Sequence, residues 1–257
     1  MPAWPISCSA PGTPAGRDRR GDLTSRFHTT QWSVVLAAGG STAESRAALE
    51  ELCATYWRPI YRFIRRWGHG ADKAQDLTQG FFTEFLERRD IEGLDPERGR
   101  FRSYLLAAVK NFLFNEKKRG RALKRGGGAP LLSLSFPDDL GPSVEPADTR
   151  TPESDYERQW ALALLRRALK RLRVEQTTKG RSELFERLKP TLAGERVDGG
   201  YAAVADELSL SAVAVKVAAH RLKKRYGEML LEEVSRTVSL PQEIEDELHH
   251  LFRALEG

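Results

Sequence analysis

Residues 201–226 read YAAVADELSLSAVAVKVAAHRLKKRY, and their apolar spacing predicts two short helices, 201–208 and 211–226, separated by a tight turn. A helix-turn-helix needs a small residue where its helices touch and apolar residues that bury their shared face. Ala205 supplies the small contact. Ser209 stands where glycine is usual, so a left-handed turn there costs on the order of 1 kcal/mol. The expected buried face consists of Val204, Leu208, Leu210, Val215 and Ala218.

The same register turns a second set of side chains outward. Outward alanine and valine are costly unless something covers them, and thymine methyl groups are apolar partners of suitable size. The basic residues among them suit phosphates and base edges. The structural alternative is a helical hairpin inside a larger bundle. The residues predicted to contact duplex DNA are Ser211, Ala212, Val213, Lys216, Val217, His220, Arg221 and Lys224.

The rest of the chain also follows the helical period, and no run alternates with period two over enough residues for a strand. The sequence therefore predicts an all-α fold of two helical domains joined by an acidic linker rich in proline and glycine. Thr151 and Pro152 predict the N-cap and first position of a helix that opens the second domain. The predicted divisions are a disordered tail (1–27), a first domain (28–125), a linker (126–152), a helix-turn-helix domain (153–231) and an acidic C-terminal extension (232–257).

Charge alternates in sign along the chain. Residues 101–128 hold eight bases and one acid, whereas 129–157 hold seven acids and one base. Residues 216–225 hold five bases and no acid, whereas 228–257 hold eight acids and two bases. Clusters of one sign in two domains predict a polyanion contacted at two places, with nucleic acid as the favoured partner. Ordinary solvated surface charge is the alternative.

The 257-residue chain, with 40% hydrophobic residues and a net charge of +5, is long enough for one or two cores. It has no apolar stretch of the ~18 residues that a membrane helix needs and no signal-peptide pattern, so we expect a cytoplasmic protein without membrane contact. Cys8 and Cys53 belong to no metal-binding motif, and the histidines are scattered. We therefore expect no catalytic residue, metal or cofactor.

Two further motifs, together with the helix-turn-helix, resemble the sigma-70 family of bacterial RNA polymerase initiation factors, in its compact extracytoplasmic-function branch. Residues 74–82, AQDLTQGFF, are similar to the family's AEDLVQEVF, part of the helix that docks on the clamp of the polymerase β′ subunit. Gly80 departs from the pattern, which has a carboxylate there. The resemblance implies that core polymerase is bound by Asp76, Leu77, Gln79 and Phe82.

Residues 101–119, FRSYLLAAVKNFLFNEKKR, are similar to the family's FRxWLxxIARN followed by DxxR. In the family this helix and its preceding loop capture and melt the minus-ten promoter element. The helix-turn-helix resembles the region that reads the minus-thirty-five element, and the acidic linker fits a segment threaded through a basic polymerase cleft. The resemblance implies minus-ten contacts for Tyr104, Lys110, Asn111, Asn115, Lys117, Lys118 and Arg119.

These similarities imply a sigma factor that binds core RNA polymerase, at its β′ clamp and β flap, and directs promoter-specific initiation. An anti-sigma factor is a further candidate partner. The alternatives are a stand-alone helix-turn-helix regulator, whose N-terminal helices dimerise or sense a signal, and an RNA-processing enzyme with a basic substrate face. The acidic C-terminal extension lies outside the family pattern. Its charge suggests an internal restraint that competes with DNA for the basic helix at 211–226.

Overall fold

The computed structural model describes residues 43–87, 100–123 and 150–256, and all regular structure in these ranges is helical. The all-α prediction is thereby confirmed for this part of the chain. The predicted tail at 1–27 and linker residues 126–149 lie outside the described residues. The α-helices are α1 (Ala43–Arg66), α2 (Ala71–Glu87), α3 (Phe101–Leu123), α4 (Pro152–Thr178), α5 (Ser182–Leu188), α6 (Gly200–Glu207), α7 (Ala212–Ser235) and α8 (Ile244–Glu256).

The described residues fall into two compact units. The large unit contains 43–164 and 234–256, with the gaps given above, and the small unit contains 165–233. The sequence predicted that a second domain begins at 153 and ends at 231, whereas the units divide within α4 and near the end of α7. The physical reason lies in the first turns of α4 and in the chain after α7, because both contribute buried side chains to the large unit.

Aromatic side chains fill the core that α1, α2 and α3 share. The ring of Tyr56 meets Phe101 edge-on at 5.4 Å between centroids, and Trp57 stacks on Phe82 at 5.9 Å. Phe81 of α2 meets Phe112 of α3 at 5.7 Å. Such pairs add to the free energy of burial and fix ring orientation. The buried faces of the three helices are therefore set by aromatic packing.

The start of α4 is fixed by a cap and by buried charge. The Thr151 hydroxyl accepts a hydrogen bond from the Ser154 amide at 3.1 Å, which confirms the predicted N-cap. Asp155 is 1% exposed and pairs with Arg62 at 3.1 Å and Arg66 at 3.0 Å, both from α1. A buried carboxylate needs such partners, so this pair of arginines holds α4 against α1.

The chain after α7 completes the large unit. Thr237, Val238 and Leu251 are each no more than 2% exposed, and so is Val234 in the last turn of α7. A 3-10 turn, Pro241–Glu243, leads into α8, and Glu243 accepts hydrogen bonds from the amides of Ser239 and Leu240. The acidic C-terminal extension is therefore folded and contributes to a hydrophobic core.

The small unit packs the second part of α4 against α5, α6 and α7. Leu172, Phe185 and Val204 are buried at its centre. At its edge, Glu233 is 1% exposed and pairs with Arg167 at 2.9 Å and with Arg171 at 2.8 Å. These contacts join α4 to α7 within the unit.

The turn between α6 and α7 has the backbone that the sequence predicts. Ser209 has a φ of 52°, in the left-handed region, and the Leu210 amide donates to the Ala205 carbonyl at 2.8 Å. Ala205 is buried, as expected. Leu210, however, is 42% exposed, so the prediction that it is buried is wrong; the turn directs it away from the α6–α7 contact. Ala218 is only half-buried, and Ala219 takes the buried place beside Val215.

We predict that Ser209→Gly stabilises the chain by about 0.5 kcal/mol, because relief of the left-handed strain exceeds the extra backbone entropy that glycine loses on folding. Urea unfolding followed by circular dichroism measures this. Ser209→Ala is the matched control, since it removes the hydroxyl but keeps the strain. Equal stabilisation by both variants would contradict the strain argument.

Candidate nucleic-acid interface

Helix α3 has one buried face and one exposed face. Phe101, Leu105 and Val109 are fully buried, and Phe112 is 7% exposed. The opposite face carries side chains spaced by three and four residues, which places them in one row along the helix. The exposed row consists of Ser103, Ala107, Asn111, Phe114 and Lys118, with Lys117 beside its C-terminal end.

Phe114 is the most unusual member of this row. Its side chain is 59% exposed, and the Lys118 ammonium lies 4.7 Å from the ring centroid. The pair is a cation–π contact at the protein surface. The sequence interpretation omitted Phe114. Its position two residues after buried Phe112, and so off the apolar face, is the signal that could have found it.

The structure separates the seven residues predicted on α3 into accessible and restrained groups. Asn111, Lys117 and Lys118 are exposed. Asn115 is half-buried, and so is Tyr104, which packs against Phe85 and Phe101 with centroids 6.5 and 6.3 Å away. Tyr104 therefore presents only part of its ring. Lys110 and Arg119 make ion pairs.

Lys110 pairs with the first turn of α4. Its Nζ lies 2.8 Å from a carboxylate oxygen of Glu153, and the two side chains are 39% and 46% exposed. The hydrogen bond from Lys110 lowers the pKa of the Glu153 carboxyl, so the carboxylate is charged at neutral pH. The interaction is present above the ordinary carboxyl pKa and is lost as the pH falls through the lowered pKa. Any phosphate that binds Lys110 must compete with this carboxylate.

Arg119 is more exposed than Lys110. It is 56% exposed and lies 2.9 Å from Glu116 and 3.3 Å from Glu84. Exposed pairs of this kind contribute little to stability and are screened by salt. Arg119 can therefore exchange its partners for a phosphate group at small cost.

In the small unit, α7 presents the side chains that the sequence assigned to DNA. Val213 is 73% exposed and Val217 is 41% exposed, although both are apolar. The Ser211 hydroxyl accepts a hydrogen bond from the Ala214 amide at 3.1 Å, so it caps α7. The remaining predicted residues of this set, Ala212, Lys216, His220, Arg221 and Lys224, are all exposed.

A groove of about 520 Å³ runs beside α7 in the same unit. Phe185, Leu188 and Leu222 give it an apolar floor, and Lys179 and Arg225 contribute basic groups. Val217 and Arg221 also line it, so these two residues face the groove as well as solvent. Leu210, exposed by the turn, belongs to the same lining.

The four residues predicted to bind polymerase divide by burial. Asp76 is exposed and Gln79 is half-buried, so both reach the surface of α2. Leu77 is 4% exposed and Phe82 is fully buried. The prediction that these two side chains form part of the docking surface therefore needs correction: they pack α2 into the core of the large unit and position its exposed residues.

In the described ranges, no group of three or more histidine, cysteine, aspartate or glutamate side chains is placed to hold a metal ion. None of the helices in those ranges combines the length and apolarity that crossing a bilayer requires. Cys53 is buried, which raises the pKa of its thiol to about 12.

No protein-family model matches the chain, and neither the curated proteins nor the solved structures compared with it gave a match.

We predict that Glu153→Gln raises the affinity for a short single-stranded DNA about threefold, since freeing Lys110 from an exposed pair is worth roughly 0.6 kcal/mol. Fluorescence anisotropy at low and high salt measures this. Glu245→Gln, which removes one exposed carboxylate from α8, controls for net charge. An equal gain in both variants would contradict a specific role for the Lys110–Glu153 pair.

Proposed function

We propose that this chain is a sigma factor of the extracytoplasmic-function type, which binds core RNA polymerase and directs promoter-specific initiation. The observation that carries the proposal is the exposed row on α3, where an aromatic ring and an amide stand among lysines. The resemblance of residues 74–82 and 101–119 to family motifs supports it. The role places the protein in the cytoplasm and requires no catalytic residue of its own.

The row on α3 has the chemistry that unpaired bases need. Aromatic rings stack on bases of any identity, and basic side chains beside them bind the phosphates. Phe114 supplies the ring, Lys117 and Lys118 supply the charge, and Asn111 supplies an amide for a base edge. A base in a closed duplex cannot stack on such a ring, so this surface favours melted DNA of the minus-ten element.

The exposed face of α7 suits a closed duplex instead. Val213 lies in the first turn of α7, where residues of a recognition helix reach base edges. Its methyl groups match thymine methyls, and Lys216 can donate to base acceptors. Arg221 and Lys224 then hold the phosphate backbone. We assign this face to the minus-thirty-five element.

A surface for melted DNA and a surface for duplex DNA in one chain are expected of an initiation factor, because initiation opens one promoter element while the other stays paired. A stand-alone regulator needs only the second surface. The difference favours the sigma assignment over the helix-turn-helix regulator.

Two further surfaces are assigned to polymerase. Asp76 and Gln79 on α2 are the accessible candidates for the β′ clamp. The groove beside α7, with apolar side chains such as Phe185, Leu188 and Leu222 in its lining, is the candidate for the β flap. Both assignments follow the family resemblance, with Leu77 and Phe82 acting only through the position of α2.

The decisive experiment mixes the purified chain with sigma-free core polymerase and genomic DNA, and maps transcript 5′ ends. We expect discrete starts that are absent with either component alone. Asp76→Lys should reduce retention of the chain on core polymerase, and Lys73→Glu, an exposed charge reversal on the same helix, is its control. A dimer that binds a palindrome without polymerase would support the regulator, and RNA turnover without polymerase would support the enzyme.

We predict that Phe114→Ala lowers the rate of promoter opening about tenfold or more, because base stacking on an aromatic side chain contributes ~1–3 kcal/mol. Permanganate footprinting of melted thymines measures opening, and gel retention on a duplex with only the minus-thirty-five element should not change. Phe252→Ala removes an exposed phenylalanine from α8 and is the control. Equal opening by Phe114→Ala and wild type would remove Phe114 from the proposed site.

A further inference from the structure

The carboxylate of Glu247 is buried in the large unit although it lies on the acidic C-terminal extension. Its exposure is 0%, and it pairs with Arg102 at 2.9 Å and Arg100 at 2.9 Å. Arg102 binds it in bidentate fashion, with Nε on one oxygen and Nη2 on the other at 3.1 Å. Bidentate pairing fixes both distance and orientation.

The same arginine is held from α4. Its Nη1 donates to Glu157 at 2.8 Å, and its guanidinium lies 4.9 Å from the Trp160 ring centroid. The Tyr156 hydroxyl donates to the Arg102 backbone carbonyl at 3.0 Å. Side chain and backbone of one residue in the first turn of α3 are thus fixed by α4 and α8 together.

Glu247 also fixes the residue that starts the helix. The amides of Ser103 and Tyr104 donate to the Arg100 carbonyl at 3.0 and 3.2 Å, while the Arg100 side chain binds Glu247. The Glu247 carboxylate therefore holds the N-terminal end of α3 through two ion pairs, one with Arg100 and one with Arg102.

The position of that end decides where the exposed row points. Phe114 lies about 18 Å from Arg102 along the helix axis, at about 1.5 Å per residue. A tilt of roughly 10° at the first turn moves Phe114 by about 3 Å, which is larger than the ~0.5 Å tolerance of a functional site. Holding the first turn therefore sets the stacking surface.

We propose that Glu247, on α8, is a positioning residue for melted promoter DNA, acting through Arg102 in the first turn of α3. This inference rests on the proposed function. It replaces the hypothesis of a restraint that competes with DNA for the basic helix at 211–226. Within residues 234–256 the buried carboxylate of Glu247 pairs with Arg100 and Arg102, and Val238 and Leu251 anchor the segment in a hydrophobic core.

The positioning hypothesis and the restraint hypothesis predict opposite changes in the rate of promoter opening when Glu247 is replaced. Glu247→Gln keeps the shape of the side chain but leaves the buried Arg102 guanidinium, and the half-buried Arg100 guanidinium, with one carboxylate fewer. If Glu247 positions α3, promoter opening requires its carboxylate. The Glu247→Gln variant should then open promoters about tenfold more slowly than wild type. An inhibitory mask would give faster opening or tighter promoter binding on the same substitution.

The experiment compares full-length wild type, Glu247→Gln, Glu247→Asp and Glu245→Gln. Hydrogen exchange of the free proteins should show at least tenfold faster exchange at residues 103–106 in Glu247→Gln alone, with partial rescue in Glu247→Asp. With core polymerase, assembly and minus-thirty-five duplex binding should be unchanged while opening falls. Slower opening with unchanged assembly and duplex binding distinguishes a positioning role from a general loss of structure.

Each result decides one claim. Unchanged exchange at 103–106, unchanged opening, or faster opening in Glu247→Gln overturns the inference, and so does a loss shared equally by Glu245→Gln. Loss of all protected amides in Glu247→Gln also overturns it, since the role is then purely structural. If wild type does not engage polymerase at all, the proposed function fails, whereas faster exchange confined to 103–106 still supports the hold of Glu247 on α3.

Discussion

A buried guanidinium imposes the constraint on which the large unit depends. Arg102 is 3% exposed, and its donors must be satisfied inside the protein because an unpaired buried charge is far more costly than a lost surface contact. Glu157 and Glu247 provide the acceptors and Trp160 covers the face of the group. These partners come from α4 and α8, so α3 reaches its native position only when both helices are in place.

That constraint explains why one helix can serve both the core and the surface. The aromatic face of α3 packs against α1 and α2, and its first turn is fixed by buried ion pairs. The opposite face of α3 is not needed for packing. An exposed ring such as that of Phe114 is therefore tolerated there without displacing the helix. Lys110 pairs with Glu153, and Arg119 pairs with Glu84 and Glu116, which lowers the net positive charge around Phe114. Weak pairs of this kind can yield to phosphates, whereas the Arg102 pair cannot.

Local features were predictable from the sequence because their causes are local. Helical periodicity predicted the all-α fold, Thr151 predicted the start of α4, and the strained turn at Ser209 followed from the spacing of two helices. The solvent exposure of the α7 residues that the sequence assigned to DNA followed in the same way. Each of these depends on neighbours within a few residues along the chain.

The features that were missed depend on distant partners. Arg102 was counted in a basic patch because nothing near it in the chain shows that Glu247 binds it. Leu77 and Phe82 were assigned to a docking surface because a motif does not distinguish residues that contact a partner from residues that pack the helix. Phe114 is an exception, because its place off the apolar face of α3 is a local signal that helical spacing contains. Leu210 was placed in the core because a strained turn changes side-chain direction in a way that helical spacing does not describe.

The acidic C-terminal extension shows how net charge can mislead about role. Its sequence has the composition of a solvated tail, yet the carboxylate that matters most, Glu247, is fully buried, while Glu245 and Asp246 are exposed. A carboxylate on a segment that is not packed against the protein competes for a basic residue on equal terms with other anions, including the phosphates of DNA. An acid that binds an arginine through both oxygens, between apolar residues such as Val238 and Leu251, is specific to that arginine and to that geometry. Glu247 is therefore half of an internal contact, although the composition of its segment is that of a solvated tail.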